Sequence, residues 1–438
     1  MTMPLMKPRG KNPVLRTAQM NLPPWARGRT ALGMTAAAAE GRFELQVCER
    51  CAAVQYPPRD ACHRCLAARL VWTAQSGAGE LLSETVLHHS NDPFYRERLP
   101  WRLGLVRLDA GPTVIVHLHG DVASPVPPQV DAAAASRGTG APAPPHSGVR
   151  VHVGARLDRA GAAVLIGFPP EESEHMADDK MLREMASDPR FRKILVTDGK
   201  TAVGQALVQA LVRAGAEIVW VGHAEPWKKL AGLDDITALA PVTLVPLDLS
   251  DGRSVAELAG EIGGKVDIVV NNAEVHRAFG IAARRGTDAA RAEMDINCFG
   301  LLRLAQELGP ALKARSADGA THAAAWVNLL SIYALSNYPP HGTFSASKAA
   351  AHSLAQCLRA EMRPAGIRVI NVFPGPIEDE WNQNLPPPKV APAALASAIV
   401  QALKEGIEDV YPGDVAQEWV ERWRENPKVL ERELAAGG

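Results

Sequence analysis

Lys193-Ile194-Leu195-Val196-Thr197-Asp198-Gly199-Lys200-Thr201-Ala202-Val203-Gly204 takes an apolar strand into a small-residue turn and then a helix start. From Lys193 onward, strand-like runs alternate with amphipathic helical patterns, the mark of a doubly wound parallel sheet. Strands are expected at 194–197, 217–221, 243–247, 268–270, 325–329, 368–372 and around 409–411. Seven strands with intervening helices fit a single α/β domain of Rossmann type over 193–438. The Gly199-Lys200-Thr201 triplet is similar to the end of a phosphate-binding P-loop, but Ile194 stands where that loop's first glycine belongs. A nucleoside triphosphate site is therefore rejected.

The chain upstream has a different character. Residues 1–40 are irregular and proline-rich at first, then alanine-rich and helical through 36–40. Residues 41–75 hold two cysteine pairs, and 76–170 read as a small β-domain with strands near 81–86, 103–108, 114–118, 149–153 and 163–168. An insertion rich in Ala, Pro and Gly at 123–148 interrupts that domain, and the polar stretch 171–192 reads as the boundary, a helical connector. With 438 residues, two or three domains are the natural expectation. The 47% apolar and 22% charged fractions suit a water-soluble globular protein. Lys and Arg, at 47, balance Asp and Glu, at 48, so charge points neither to nucleic acid nor to an anionic membrane. No secretory or membrane-spanning pattern is evident, and a cytoplasmic location is expected.

Cys48-Glu-Arg-Cys51, ten residues, and Cys62-His-Arg-Cys65 have the spacing of a structural zinc ribbon. Each pair forms a tight turn that aims two thiolates at one point, and two such turns close a tetrahedron with no position left for water. Catalysis by that metal is not expected. A redox pair needs only one CxxC at a strand-to-helix turn, and covalent haem needs a histidine after the second cysteine; neither pattern is present.

With Gly41-Arg42-Phe43-Glu44-Leu45-Gln46 before the first pair and Tyr56-Pro57-Pro58-Arg59 between the pairs, residues 24–170 resemble a known family. It comprises zinc-ribbon plus OB-fold proteins associated with acyl-CoA enzymes, thiolases above all. The resemblance implies an OB barrel after the ribbon and a thiolase-type partner. An OB barrel alone could suggest single-stranded nucleic acid, but no basic groove with stacking aromatics is evident at 5% aromatic content.

The C-terminal part resembles the short-chain dehydrogenase/reductase family. That family carries a YxxxK motif on a helix with a catalytic serine thirteen residues upstream. Here Gly342-Thr343-Phe344-Ser345-Ala346-Ser347-Lys348 keeps the lysine, and Ser331 stands thirteen residues before Phe344, but the tyrosine is a phenylalanine. The resemblance assigns Ser331, Lys348 and Asn297 to the catalytic positions, and Thr197, Gly204, Asp248, Asn271, Pro374 and Gly375 to the cofactor cleft. Four further positions depart from the family pattern: Asp198 and Ala202 replace glycines of the TGxxxGxG turn, Glu274 replaces the glycine of NNAG, and Asp379 stands where a threonine often contacts the cofactor. Every departure touches cofactor binding or proton transfer.

Phenylalanine has no hydroxyl to exchange a proton, which removes a contribution of roughly 10²–10⁴ in rate. New carboxylates at the turn oppose a pyrophosphate by like-charge repulsion. The sequence therefore predicts structural zinc, poor NAD(P) binding, and a pseudoenzyme serving as accessory subunit of a thiolase-type, β-oxidation-like complex. A dimer through the dehydrogenase-like domain is expected from its alanine-rich 346–355 helix face. The alternative is an active NAD(P)-dependent 3-hydroxyacyl-CoA dehydrogenase fused to its delivery module.

Overall fold

The computed structural model describes residues 28–124, 148–225, 228, 232–283, 285–316 and 324–436, with residue 3 and 22–24 besides. The start of the 1–40 segment and nearly all of the 123–148 insertion lie outside the described residues. The chain divides into two compact units, one holding residues up to Met185 and the other beginning at Ala186.

In the N-terminal unit a first helix, α1 (Leu32–Ala39), buries Met34, Ala37 and Ala38, starting earlier than the 36–40 expected. Three antiparallel strands follow in the order β2-β1-β3: β1 (Glu44–Cys48), β2 (Val54–Gln55) and β3 (Leu70–Ala74). β1 delivers Cys48, and the loops after β1 and β2 bring the other three cysteines to it. Five strands then close a barrel: β4 (Ala78–Leu87), β5 (Trp101–Leu108), β6 (Thr113–Leu118), β7 (Arg150–Leu157) and β8 (Ala163–Phe168). Alternation in β6 sends Val114, Val116 and Leu118 inward, where they meet Val106, Val151, Val153 and Met34. This is the OB barrel that the resemblance implies, with β8 parallel to β6 and β4 closing on β7. The one-turn helix α2 (Pro93–Arg96), capped by Asp92, sits in the connection between β4 and β5.

The boundary between the units falls inside the stretch 171–192, which carries a short helix. Helix α3 (Lys180–Met185) buries Met181 and Met185 in a cluster with Trp101, Val164, Ile166 and Phe168 of the barrel. The Asp179 carboxylate caps α3 by accepting from the Met181 and Leu182 amides. Beyond it, the Ser187 amide donates to the Leu403 carbonyl and its hydroxyl to the Ala324 carbonyl, inside the second unit.

The C-terminal unit is a seven-stranded, wholly parallel sheet. Its strands are β9 (Lys193–Val196), β10 (Ile218–His223), β11 (Val242–Pro246), β12 (Ile268–Asn271), β13 (Ala325–Leu329), β14 (Arg368–Val372) and β15 (Asp409–Val410). Helices α4 (Ala202–Arg213), α5 (Leu233–Thr237), α6 (Gly252–Ile262), α7 (Asp288–Met294), α8 (Leu301–Ser316), α9 (Gly342–Met362), α10 (Pro392–Glu405), α11 (Asp414–Glu425) and α12 (Pro427–Ala436) connect and cover it. One face buries Leu207 and Leu211 of α4 with Leu395 and Ile399 of α10; the other buries residues of α6, α8 and α9. The strand order β11-β10-β9-β12-β13-β14-β15 reverses between β9 and β12. Ligands of such sheets bind outside the strand ends at that switch point, and the residues singled out above converge there.

Candidate functional site

The turn after β9 is built on backbone and amide hydrogen bonds. The Thr197 hydroxyl accepts from the Asn272 and Ala273 amides, while the Asn272 side chain donates to the Asp198 carbonyl at 2.7 Å and accepts from the Asp198 amide at 3.1 Å. Asn271 accepts from the Thr197 hydroxyl at 3.3 Å. Thr201 caps α4 by accepting from the Gly204 amide, and a Cβ on Gly204 would lie 2.0 Å from the Asp198 carbonyl oxygen. Glycine is therefore required at 204, whereas Ala202 is exposed at the helix start. The Asp198 carboxylate is buried and accepts from the Lys200 amide at 2.8 Å, with the Lys200 ammonium 3.9 Å away. Burial holds its pKa above the ordinary carboxylate range, with Glu274 adding to the rise.

At the end of β12 the chain places Glu274 against Lys348 of α9. Their charged atoms are 2.7 Å apart, and the ammonium also donates to the Leu329 carbonyl at 2.9 Å. Lys348 is 2% exposed, so this carboxylate is its counter-ion in a nearly dry setting. Asp379 lies close enough for Glu274 to push its pKa up, after burial as the first cause. Its carboxylate accepts from the Trp381 and Asn382 amides and the Asn382 side chain. Of the five family departures, Asp198 and Asp379 thus each feel the charge of a third, Glu274.

Phe344 lies one turn before Lys348, with the ammonium 5.4 Å from its ring centroid. His276 stacks on that ring at 3.7 Å between centroids and 15° between planes, and its Nε2 is 2.8 Å from Nδ1 of His341. Both imidazoles are buried, and burial first, then His341 and Lys348, holds His276 down to about 3. Tyr333 and Tyr338 stack on each other, and Tyr333 meets Phe344 edge-on. Burial raises the Tyr333 phenol further above its usual range.

The remaining assigned residues support the frame. Ser331 accepts from the Tyr333 amide. Asn297 sits in a π-helical turn (Asp295–Gly300), where it accepts from the Val275 amide and donates to the Val275 carbonyl and the Ser347 hydroxyl, each at 2.8 Å. Its amide therefore clamps the loop that carries Glu274 and His276. Asp248 accepts from the amide and hydroxyl of Ser250 within its own turn. The Pro374 carbonyl accepts from Ile332, and the Gly375 amide donates to Pro412. Asn272, His276 and His341 are the site residues that motif reading missed. Asn272 was visible in the Asn-Asn pair, whereas nothing in the sequence joins the two histidines, 65 positions apart.

The turn keeps the hydrogen-bonded frame of a dinucleotide site and adds carboxylates to its surroundings. Asp198 is buried beside the turn, and Glu274 is the counter-ion of Lys348.

In the other unit, the Sγ atoms of Cys48, Cys51, Cys62 and Cys65 lie within 4.8 Å of one another. The Cys48–Cys65 and Cys51–Cys62 separations are 3.6 Å, close to the ~3.8 Å edge of a tetrahedron with zinc–sulfur bonds of ~2.3 Å. Among these neighbouring thiols the Cys65 amide holds Cys62 down at about 6, while Cys51, against the Ala53 amide, is pushed up to about 12 by burial and the other thiols. The thiolate is the form that a metal takes. These residues fit zinc, and among the described residues no other group of ligands does.

Comparison with known proteins agrees with both resemblances. Residues 35–71 match the rubredoxin-like zinc ribbon domain of ChsH2, 72–158 match the C-terminal OB-fold domain of ChsH2, and 192–389 match the short chain dehydrogenase model. The short-chain dehydrogenase virD of Hypocrea virens is 31% identical over 212 residues, covering 46% of this chain and 68% of that protein. Dehydrogenase/reductase SDR family member 7B of Mus musculus is 30% identical, and the chain spans 64% of its length. A short chain dehydrogenase from Burkholderia cenocepacia J2315, solved in complex with NADP, is 34% identical with a TM-score of 0.51, covering 56% of this chain and 98% of that one. That this relative holds NADP gives no support to the expectation of poor dinucleotide binding. No helix among the described residues is long and apolar enough to cross a membrane.

Proposed function

The chain belongs, through its C-terminal unit, to the short-chain dehydrogenase family, and we propose that within it this protein is an accessory subunit of a thiolase-type acyl-CoA enzyme. In this reading the zinc ribbon and barrel dock on the enzyme. The dehydrogenase-derived unit is a platform that transfers no hydride and pairs with a second copy of itself. One observation carries the reading: the buried ammonium of Lys348 is neutralised by Glu274 at 2.7 Å, beside a phenyl ring where the family has its phenol. The paired carboxylate offsets much of the field that this ammonium would otherwise direct at a substrate carbonyl. The ribbon supports the docking half of the reading, because a closed thiolate site gives rigidity without an open coordination position.

The test is to isolate the full-length chain at low salt and identify what accompanies it, while assaying 3-hydroxyacyl-CoA oxidation. A thiolase-type partner with negligible turnover is the expected result. A chain free of any acyl-CoA enzyme, or turnover near the ~10 s⁻¹ typical of enzymes, contradicts the reading.

A second reading, an active NAD(P)-dependent 3-hydroxyacyl-CoA dehydrogenase, is favoured by the NADP-bound relative and by the His276–His341 pair against Phe344. A neutral imidazole can serve where a phenol is missing. In that case His276→Gln abolishes a measurable activity; in the first reading there is no activity to lose.

A further inference from the structure

A cleft of about 560 Å³ lies within the N-terminal unit, between the zinc-ribbon loop and the β5–β6 turn of the barrel. Gln55, Tyr56, Arg59, His63 and Arg64 line it on the ribbon side, and Pro112 faces them from the turn. No acidic residue is among its lining. The acids nearest in sequence are engaged elsewhere: Asp109 is held by Arg150 in a two-pronged pair, and Asp60 accepts from the Thr30 hydroxyl. Among the described residues neither Arg59 nor Arg64 has an acidic partner. The loop carrying them is fixed rather than loose. The Arg59 amide donates to the Gln46 side chain at 2.8 Å, the Arg64 amide to Cys62 Sγ, and the His63 amide to the buried Gln55 side chain at 3.1 Å.

We propose that this cleft binds a phosphate-bearing small molecule of nucleotide size. Two guanidinium groups offer fork-shaped donors that match phosphate oxygens, and the His63 ring adds a third nitrogen-bearing group. The volume falls in the range of small-molecule sites and exceeds what a lone carboxylate needs. Tyr56 and Pro112 supply apolar surface for the uncharged part of the ligand. Because the loop is tied to a metal-ligating cysteine, binding depends on zinc being in place. The cleft lies wholly within the N-terminal unit, so this proposal stands apart from the reading of the dehydrogenase-derived unit.

The competing explanation is that the arginines only balance the formal charge of a zinc held by four thiolates. The test uses the zinc-loaded full-length chain, titrated with ADP, inorganic pyrophosphate and adenosine, alongside Arg59→Gln/Arg64→Gln. The expected result is saturable binding of ADP that weakens at least tenfold in the double variant and falls as salt rises, with adenosine binding far more weakly. ADP tighter than pyrophosphate supports the nucleotide-sized ligand, and equal affinities overturn it. ADP binding unchanged in the double variant overturns it, as does the absence of saturable ADP binding by the zinc-loaded unaltered chain. Zinc content measured on each sample keeps a collapsed ribbon from passing as a lost ligand contact.

Discussion

Lys348 and Glu274 are far apart in sequence and 2.7 Å apart in the fold, and that pair holds most of the site's electrostatics. Removing one partner of a buried pair leaves a bare charge, which costs about 3–5 kcal/mol. Glu274→Gln is expected to destabilise the C-terminal unit at the lower end of that range, because its carboxylate keeps some solvent contact. Denaturant unfolding of the variant checks this, and a change under about 0.5 kcal/mol contradicts it. His276 gives a pH signature. Its pKa falls from the ordinary 6.5 to about 3 in the folded state, so the unfolded chain takes up the proton first. Stability relative to His276→Gln should fall as pH drops below about 6.5, by up to about 1.4 kcal/mol per unit, and level off near 3. Buried Asp198, Asp379 and Glu293, whose pKa values are raised, act in the opposite direction, so the difference between the two proteins is the quantity to measure. A pH-independent difference contradicts the buried neutral imidazole. At this scale side-chain type was legible: Phe344, Asp198 and Glu274 could be read against the family motif without coordinates. Their mutual contacts were not, because a salt bridge across two loops leaves no periodic trace.

The elements were the most legible part of the chain. Parallel strands buried on both faces read as continuous apolar runs, so β13 and β14 fall where the sequence puts them, and the other five shift by a residue or so at their ends. Barrel strands were legible by alternation, although β7 runs on to Leu157 beyond the expected end. Helix α3 falls within the helical connector expected at 171–192, but its docking on the barrel through two methionines was not legible, since short helices carry too few turns to show a face. The zinc ribbon offers the prediction at this scale. Its strands are short, and Cys48 and Cys62 are buried around the metal position, so binding energy for zinc is folding energy for the element. Cys48→Ser, or chelation, should melt the ribbon while the C-terminal unit keeps its own unfolding transition. A calorimetric scan showing one unchanged N-terminal transition without zinc contradicts this.

On the scale of the whole molecule, the chain joins a ChsH2-type ribbon and barrel to a short-chain dehydrogenase unit. Sequence fixes that union well, because each half has its own motif set. What the union does depends on whether the cofactor cleft still works, and there the frame and the charges point in opposite directions. Thr197, Asn271, Asn272 and Gly204 preserve the turn. Asp198, Glu274 and Asp379 surround it with carboxylates, and Lys348 is spent on one of them. Titration of the full-length chain with NADPH, followed by fluorescence or calorimetry, decides between the two most directly. The account expects no saturation below the millimolar range, and tighter binding in Glu274→Gly than in Phe344→Tyr, because the first frees the lysine and the second restores only a hydroxyl. Micromolar, one-to-one binding of NADPH by the unaltered chain would contradict it.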